Sequence, residues 1–439
     1  MGWDPASVRS RRAIAGAAAV TSVFGLIALG SRSDRGDVRR ATRATTPATL
    51  DAQQLALDGE VRRLEAFVAD TRGAPFLRHV AVELSAPAAF AARLGEGAAA
   101  AEDPLAPLGL SAIGPGPTLR GHGPPDQVLG FYDPTERRLV VKGVAITPAV
   151  RRVLVHELTH AWQDQHLGFG VRPPNSDAAV AALSLIEGDA ARVEGRWLAT
   201  LSPGDRAAAA GPDDADLSGV IPFGPAFPYV VGQMFVGRIV LAGGVKRLDT
   251  SFAAPPRSTA EVLQPERYLR GDQPLDVVRP DAEAAVSDDD VLGELGLLAV
   301  LHQASDNGNV LAMASGWAGY HLVAWTRTDG TPCVRDRIVA TSAEQAAILR
   351  SGLAAWARWH GSASVTAEGP VALVVTSCGA AHPPGPPAPP PVRPPTPGQV
   401  TPMPVQYPTP MPMPTSASVH LPPPTTTTEP PLVCVGRCP

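Results

Sequence analysis

Apolar positions between residues 51 and 378 follow two rhythms, one helical and one alternating. Val61, Leu64, Phe67 and Val68 recur at helical spacing and predict a helix over 58–70, closed by the Arg72-Gly73-Ala74-Pro75 break. Val80-Ala81-Val82-Glu83-Leu84 then reads as a strand. Residues 128–134 and 138–142 read as the two arms of a hairpin turned at Asp133-Pro134. Thr147 supplies an N-cap and Pro148 the first helical position of a helix running to about His166. A second long helix is predicted over 177–200. A third, over 227–241, should stop at Gly243-Gly244. Residues 320–378 read strand, strand, helix, strand, with the helix opening at the Thr341-Ser342-Ala343-Glu344 capping box and ending near Trp359. The fold class this predicts is α+β, without internal repeats.

The two ends of the chain depart from these rhythms. Arg9, Arg11 and Arg12 precede an uncharged, Ala-rich stretch over 13–30, and a further basic run reaches Arg43. That pattern marks 1–30 as an export segment, either a signal peptide cut after Ala28-Leu29-Gly30 or a single retained membrane anchor. Ser10-Arg11-Arg12 is compatible with twin-arginine export. Residues 31–50 read as a linker. From residue 380 onward Pro and Thr dominate, which predicts a disordered, extended tail serving as a spacer. The folded part then divides into a larger domain over 51–317 and a small α+β unit over 318–379.

Composition adds two constraints. Of the 439 residues 44% are hydrophobic and 18% charged, an ordinary globular balance, and the net charge of -5 offers nothing to a nucleic acid. The four cysteines are even in number, which outside the cytoplasm favours disulfides. Cys333 and Cys378 fall in predicted strands of the small unit and are expected to staple it, leaving Cys434 and Cys438 in the tail. The expected location is extracytoplasmic, secreted or held at the cell envelope.

The strongest chemical signal is His156-Glu157-Leu158-Thr159-His160. Residues four apart share a helix face, so both imidazoles can reach one ion. Glu157 then stands where a carboxylate can take a proton from an attacking water without ligating the metal. The expected cofactor is Zn2+. Such a site needs a third protein ligand, and two residues compete for the place. His166 lies ten residues after His156, but Gln163 stands where a chain-bending Gly would be needed. Glu187, in Leu185-Ile186-Glu187-Gly188-Asp189-Ala190, can return from the next helix and is the preferred ligand. Asp164 and Asp189 are candidates to orient the imidazoles.

His156 to His160 followed by Glu187-Gly188-Asp189-Ala190 resembles the gluzincin group of zinc peptidases. More narrowly, Gly130-Phe131-Tyr132-Asp133-Pro134, Phe227-Pro228-Tyr229, Pro256-Arg257-Ser258-Thr259 and Pro265-Glu266-Arg267-Tyr268 resemble exported bacterial proteins of that type. The likeness spans about residues 72–317 and departs at Gln264, where those proteins carry a His. It implies a zincin-like domain with a two-helix metal site, His156, His160 and Glu187 as ligands and Glu157 as general base. It also implies an oxyanion-stabilising His or Tyr, for which Tyr229, Tyr268, Tyr320 and His321 are available. The function expected is zinc-dependent hydrolysis of peptide or protein substrates. The alternatives are a non-catalytic zinc-binding scaffold of peptidase fold and an amidohydrolase of cell-wall peptides.

Overall fold

The helical repeat of Leu57, Val61, Leu64 and Val68 becomes, in the computed structural model, the buried side of α1 (Pro47–Arg72). Residues 22–24, 47–94, 108, 129–133, 136–143, 145–168, 173–210, 226–304 and 309–379 are described. The expected export segment, linker and Pro-rich tail lie outside them, apart from Ser22–Phe24 and the start of α1. Cys434 and Cys438 lie outside as well.

A small sheet takes the order β1-β3-β4-β2, from β1 (Ser22–Phe24), β2 (Ala81–Ser85), β3 (Gly130–Asp133) and β4 (Arg138–Lys142). The expected hairpin is present, with β3 and β4 antiparallel and Phe131 opposite Val140, while β2 joins β4 in parallel. Alternation along β3 divides its side chains. Tyr132 enters the core shared with α1 and α3 (Pro148–His166). Phe131 turns the other way to Phe90 of α2 (Pro87–Leu94).

α4 (Ser176–Thr200) starts where the Asn175 side chain accepts the N–H of Ala178. α5 (Pro203–Ala209) follows, and then α6 (Phe227–Ala253) packs along α4. Contact between α4 and α6 is close enough to exclude any Cβ. One added at Gly188 would lie 2.2 Å from the Gly232 carbonyl oxygen, and one at Gly232 would lie 2.3 Å from that of Ser184. Gly243-Gly244 interrupts α6 at the expected stop, both residues leaving helical φ/ψ. Gly244 takes a φ of 70°, which costs glycine little, and the chain bends there and resumes its helix to Ala253.

Two short helices, α7 (Thr259–Leu263) and α8 (Pro265–Arg270), then tie the helical layer to the remainder. Ser258 and Glu261 form a capping box, and the Thr259 hydroxyl and N–H donate to buried Asp177 at 2.6 and 2.9 Å. Gln264 donates to Glu294 of α9 (Gly293–His302), and Arg267 donates to the Trp317 and Ser315 carbonyls beyond α10 (Val310–Ala314).

The second sheet is wholly antiparallel, in the order β5-β6-β7-β9-β8. It is built from β5 (Val286–Asp290), β6 (Trp317–Thr326), β7 (Pro332–Ala340), β8 (Ala363–Glu368) and β9 (Ala372–Cys378). α11 (Ala343–His360), opened by the Ser342 hydroxyl accepting the Gln345 N–H, joins α9 over a core containing Trp317, Leu349, Leu353 and Trp356. Two strands exceed the expected pattern, β8 after the helix and β5 from upstream. Cys333 and Cys378 stand directly opposite one another in β7 and β9, at disulfide-bonding distance.

Candidate metal centre

Local chemistry sets α3 in register before any ligand is placed. The Thr147 hydroxyl accepts the Val150 N–H at 3.2 Å and Pro148 occupies the first turn. Val153, Leu154, Val155, Leu158, Ala161 and Trp162 are buried. His156 and His160 therefore project from one side of a largely buried helix, with ring centroids 4.9 Å apart. β3 presses on the same stretch. Gly130 has no side chain to meet Val153 and Glu157, and the Tyr132 N–H donates to the Glu157 carboxylate.

Glu187 arrives from α4. One of its oxygens, Oε2, lies 3.2 Å from His156 Nε2 and 3.5 Å from His160 Nε2. Donor atoms of His156, His160 and Glu187 all fall within 4.8 Å of one another, so the three buried side chains can hold a metal ion. The fit is supported by unsatisfied oxygens. Among the described residues, Glu187 Oε1 and Glu157 Oε2 are buried without a hydrogen-bond partner, a costly state that a bound cation and its water would relieve.

Both imidazoles are held from behind. His156 Nδ1 pairs with Glu194 Oε2 at 2.9 Å, and Glu194 is paired in turn with Arg152. His160 Nδ1 lies 2.9 Å from Gln163 Oε1. The Gln163 amide nitrogen donates to Asp189 at 2.9 Å and to the Ile186 carbonyl at 3.1 Å, so its oxygen is the end turned to the histidine. An amide oxygen can only accept, so His160 carries its proton on Nδ1 and presents the Nε2 lone pair to the cluster. Asp189 is itself fixed by Arg72 at 3.1 Å and Arg192 at 2.9 Å, and the Arg72 guanidinium lies 4.3 Å over the Trp162 ring.

These charges shift the titrations. Burial alone would depress the His156 pKa, but the Glu187 and Glu194 carboxylates outweigh it and raise it to about 10. Burial also acts to raise Glu194, yet its bond to His156 and the nearby Arg152 hold it below the ordinary carboxylate range. Glu157 is pushed well above that range, mainly by burial and against the attraction of His156. The His156 pocket thus demands a positive charge, which either a proton or a metal ion can supply.

Other expected residues go elsewhere. His166 stacks on Trp162 and its Nε2 bonds the Pro75 carbonyl, because α3 continues straight to its end instead of bending back. Asp164 accepts the Tyr132 hydroxyl at 2.9 Å and touches neither imidazole. Asp189 reaches the His160 imidazole through Gln163. Of the four oxyanion candidates, Tyr229 alone joins the cluster, its ring stacked 5.8 Å from His156. Tyr268 donates to the Ala254 carbonyl, Tyr320 bonds Asp336, and His321 lies between Asp289 and the Val277 carbonyl. Glu194, Gln163, Arg72 and Arg152 are the supporting residues that the sequence pattern did not single out. No family model matches this chain, and no curated protein or solved structure matches it.

Proposed function

We propose that this chain is a zinc-dependent hydrolase of the gluzincin type, most concretely a peptidase acting on peptide or protein substrates outside the cytoplasm. The observation that carries this reading is the convergence of His156, His160 and Glu187 beside the orphaned carboxylate of Glu157. Two imidazoles and a carboxylate form the donor set of catalytic zinc sites, in which one position stays open. His156, His160 and Glu187 would hold the ion, with Glu187 Oε2 lying 3.2 and 3.5 Å from the two Nε2 atoms. Bound zinc would supply Lewis acidity, polarising a substrate carbonyl and bringing the pKa of water towards ~7.

The rest of the chemistry belongs to the chain. Glu157 accepts the proton of the attacking water and passes it to the departing amine. Glu194 and Gln163 keep the imidazoles aimed at the ion. Tyr229, half-buried and stacked on His156, is the candidate to donate to the oxygen that gains charge.

The test is zinc analysis of the purified protein combined with a broad peptide-library cleavage assay on wild type and Glu157→Gln. The expected result is one zinc in both proteins and a loss of hydrolysis of at least ~10²-fold in the variant. Equal activity in the two would place the chemistry elsewhere, and zinc without hydrolysis in wild type would leave the scaffold reading.

A further inference from the structure

At the end of the α4–α6 pair remote from the metal cluster lies a cavity of about 940 Å³. Ala178 and Ala182 of α4 face it, roughly one and a half to two and a half turns before Glu187. Gly243 and the residues beyond it on α6 close the opposite side, roughly 20 Å along the helix from Tyr229 at 1.5 Å per residue. Its volume is that of a small-molecule site, and apolar atoms dominate its walls, Pro255 and Pro256 among them.

Three cationic side chains line this apolar space: Lys246, Arg247 and Arg257. Among the described residues none of them pairs with a carboxylate. Arg247 donates to the Leu269 carbonyl at 3.4 Å, and Arg257 to the Gln273 side-chain oxygen at 2.7 Å. Close neighbours behave differently, for Arg238 pairs with Glu266 and Arg270 with Asp272. The one carboxylate in the lining, Glu261, is already engaged, since its Oε2 accepts the backbone N–H groups of Arg257 and Ser258. Three cations against the single Glu261 carboxylate leave the concavity with a net positive potential that a ligand anion would relieve.

We infer that this cavity is a second ligand site, for an amphipathic carboxylate whose apolar body fills the Ala and Pro walls while its head meets Lys246, Arg247 and Arg257. The site is independent of the proposed hydrolysis, because no metal-cluster residue lines it.

Dodecanoate is the probe, titrated calorimetrically into the full chain, with dodecanol as the neutral-headed control and an apolar pentapeptide, with free or amidated C-terminus, as the alternative anion source. Dodecanoate should bind one equivalent, with dodecanol at least ~10-fold weaker, since a hydrogen bond to a charged group is worth that much. Lys246→Glu and Arg257→Glu should each weaken dodecanoate by about 10-fold or more. Glu187→Ala should leave its affinity unchanged. Lys246 is exposed, so its reversal tests the charge without risk to folding. Absence of saturable binding, equal affinity for acid and alcohol, insensitivity to both reversals, or tighter binding of the free-carboxylate peptide would each overturn the inference.

Discussion

The α3–α4 layer and the C-terminal sheet bury ionisable groups in different ways. In the sheet half, burial raises Asp336 to about 7, against a hydrogen bond from Tyr320 that lowers it. Glu294 is raised to about 8 by burial, against Arg267 and Gln264. Each has one buried oxygen without a hydrogen-bond partner, Asp336 Oδ1 and Glu294 Oε1, as do Glu157 and Glu187 in the helical half. Burial, a raised pKa and an orphaned oxygen therefore do not separate a reactive site from a structural one. Convergence does. Around Glu187, two imidazoles bring further donor atoms within 4.8 Å, and Glu194 and Gln163 behind them fix their direction. Around Asp336 and Glu294, among the described residues, no imidazole converges, and the side-chain hydrogen bonds come from the Tyr320 hydroxyl and the Gln264 amide.

The sharpest way to break that comparison is to remove one orphaned carboxylate from each half. Glu187→Ala should abolish stoichiometric zinc binding, whereas Glu294→Ala should retain one zinc per chain, by elemental analysis after dialysis. Equal metal content in the two would erase the distinction. His166→Ala should behave like Glu294→Ala.

Next in size is the covalent staple of the sheet half. Replacing Cys333 and Cys378 by Ser should cost about 3–4 kcal/mol, from the entropy of closing a loop whose ends are 45 residues apart. Thermal denaturation of the oxidised wild type and the double variant measures it. Zinc affinity should not change, and a parallel loss of zinc would show that the two halves unfold as one.

The smallest effect is a titration. Asp336 carries a folded pKa of about 7 against its ordinary value of 3.8, so as pH rises between them the folded chain alone still holds the proton. Its contribution to stability therefore falls across that window and is flat above it. Asp336→Asn should gain on wild type by on the order of 1–3 kcal/mol between pH 4 and pH 7.5, read as a growing difference in melting temperature. A constant difference would mean that Asp336 is ionised in the fold.

Much of the helical layer was legible because its signals are local. Thr147-Pro148 marks the start of α3, four-residue spacing aligns His156 with His160, and the acidic turn at Glu187 returns on the next helix. Gln163 and Glu194 carried a weaker version of the same signal. Gln163 lies three residues after His160 and Glu194 seven after Glu187, both on the ligand stripe. Arg72 had none, since it reaches Asp189 from 117 residues away. Local pattern also misled. Val-Ser-Asp-Asp-Asp at Val286–Asp290 does not look like a strand, yet it pairs as edge strand β5, where acidic side chains can face water. Gly243-Gly244 did mark a break in the helix, but not the second helical stretch that follows it.

The closeness of Gly188 and Gly232 has a consequence for how such chains can diverge. The two backbones meet where no methyl group fits, immediately beside Glu187. A larger residue on either helix would push the pair apart and carry the ligand with it, although neither glycine performs any chemistry. Among descendants of this sequence, drift at these two positions should be arrested wherever the metal cluster survives. Once the cluster is lost, both should become free to vary.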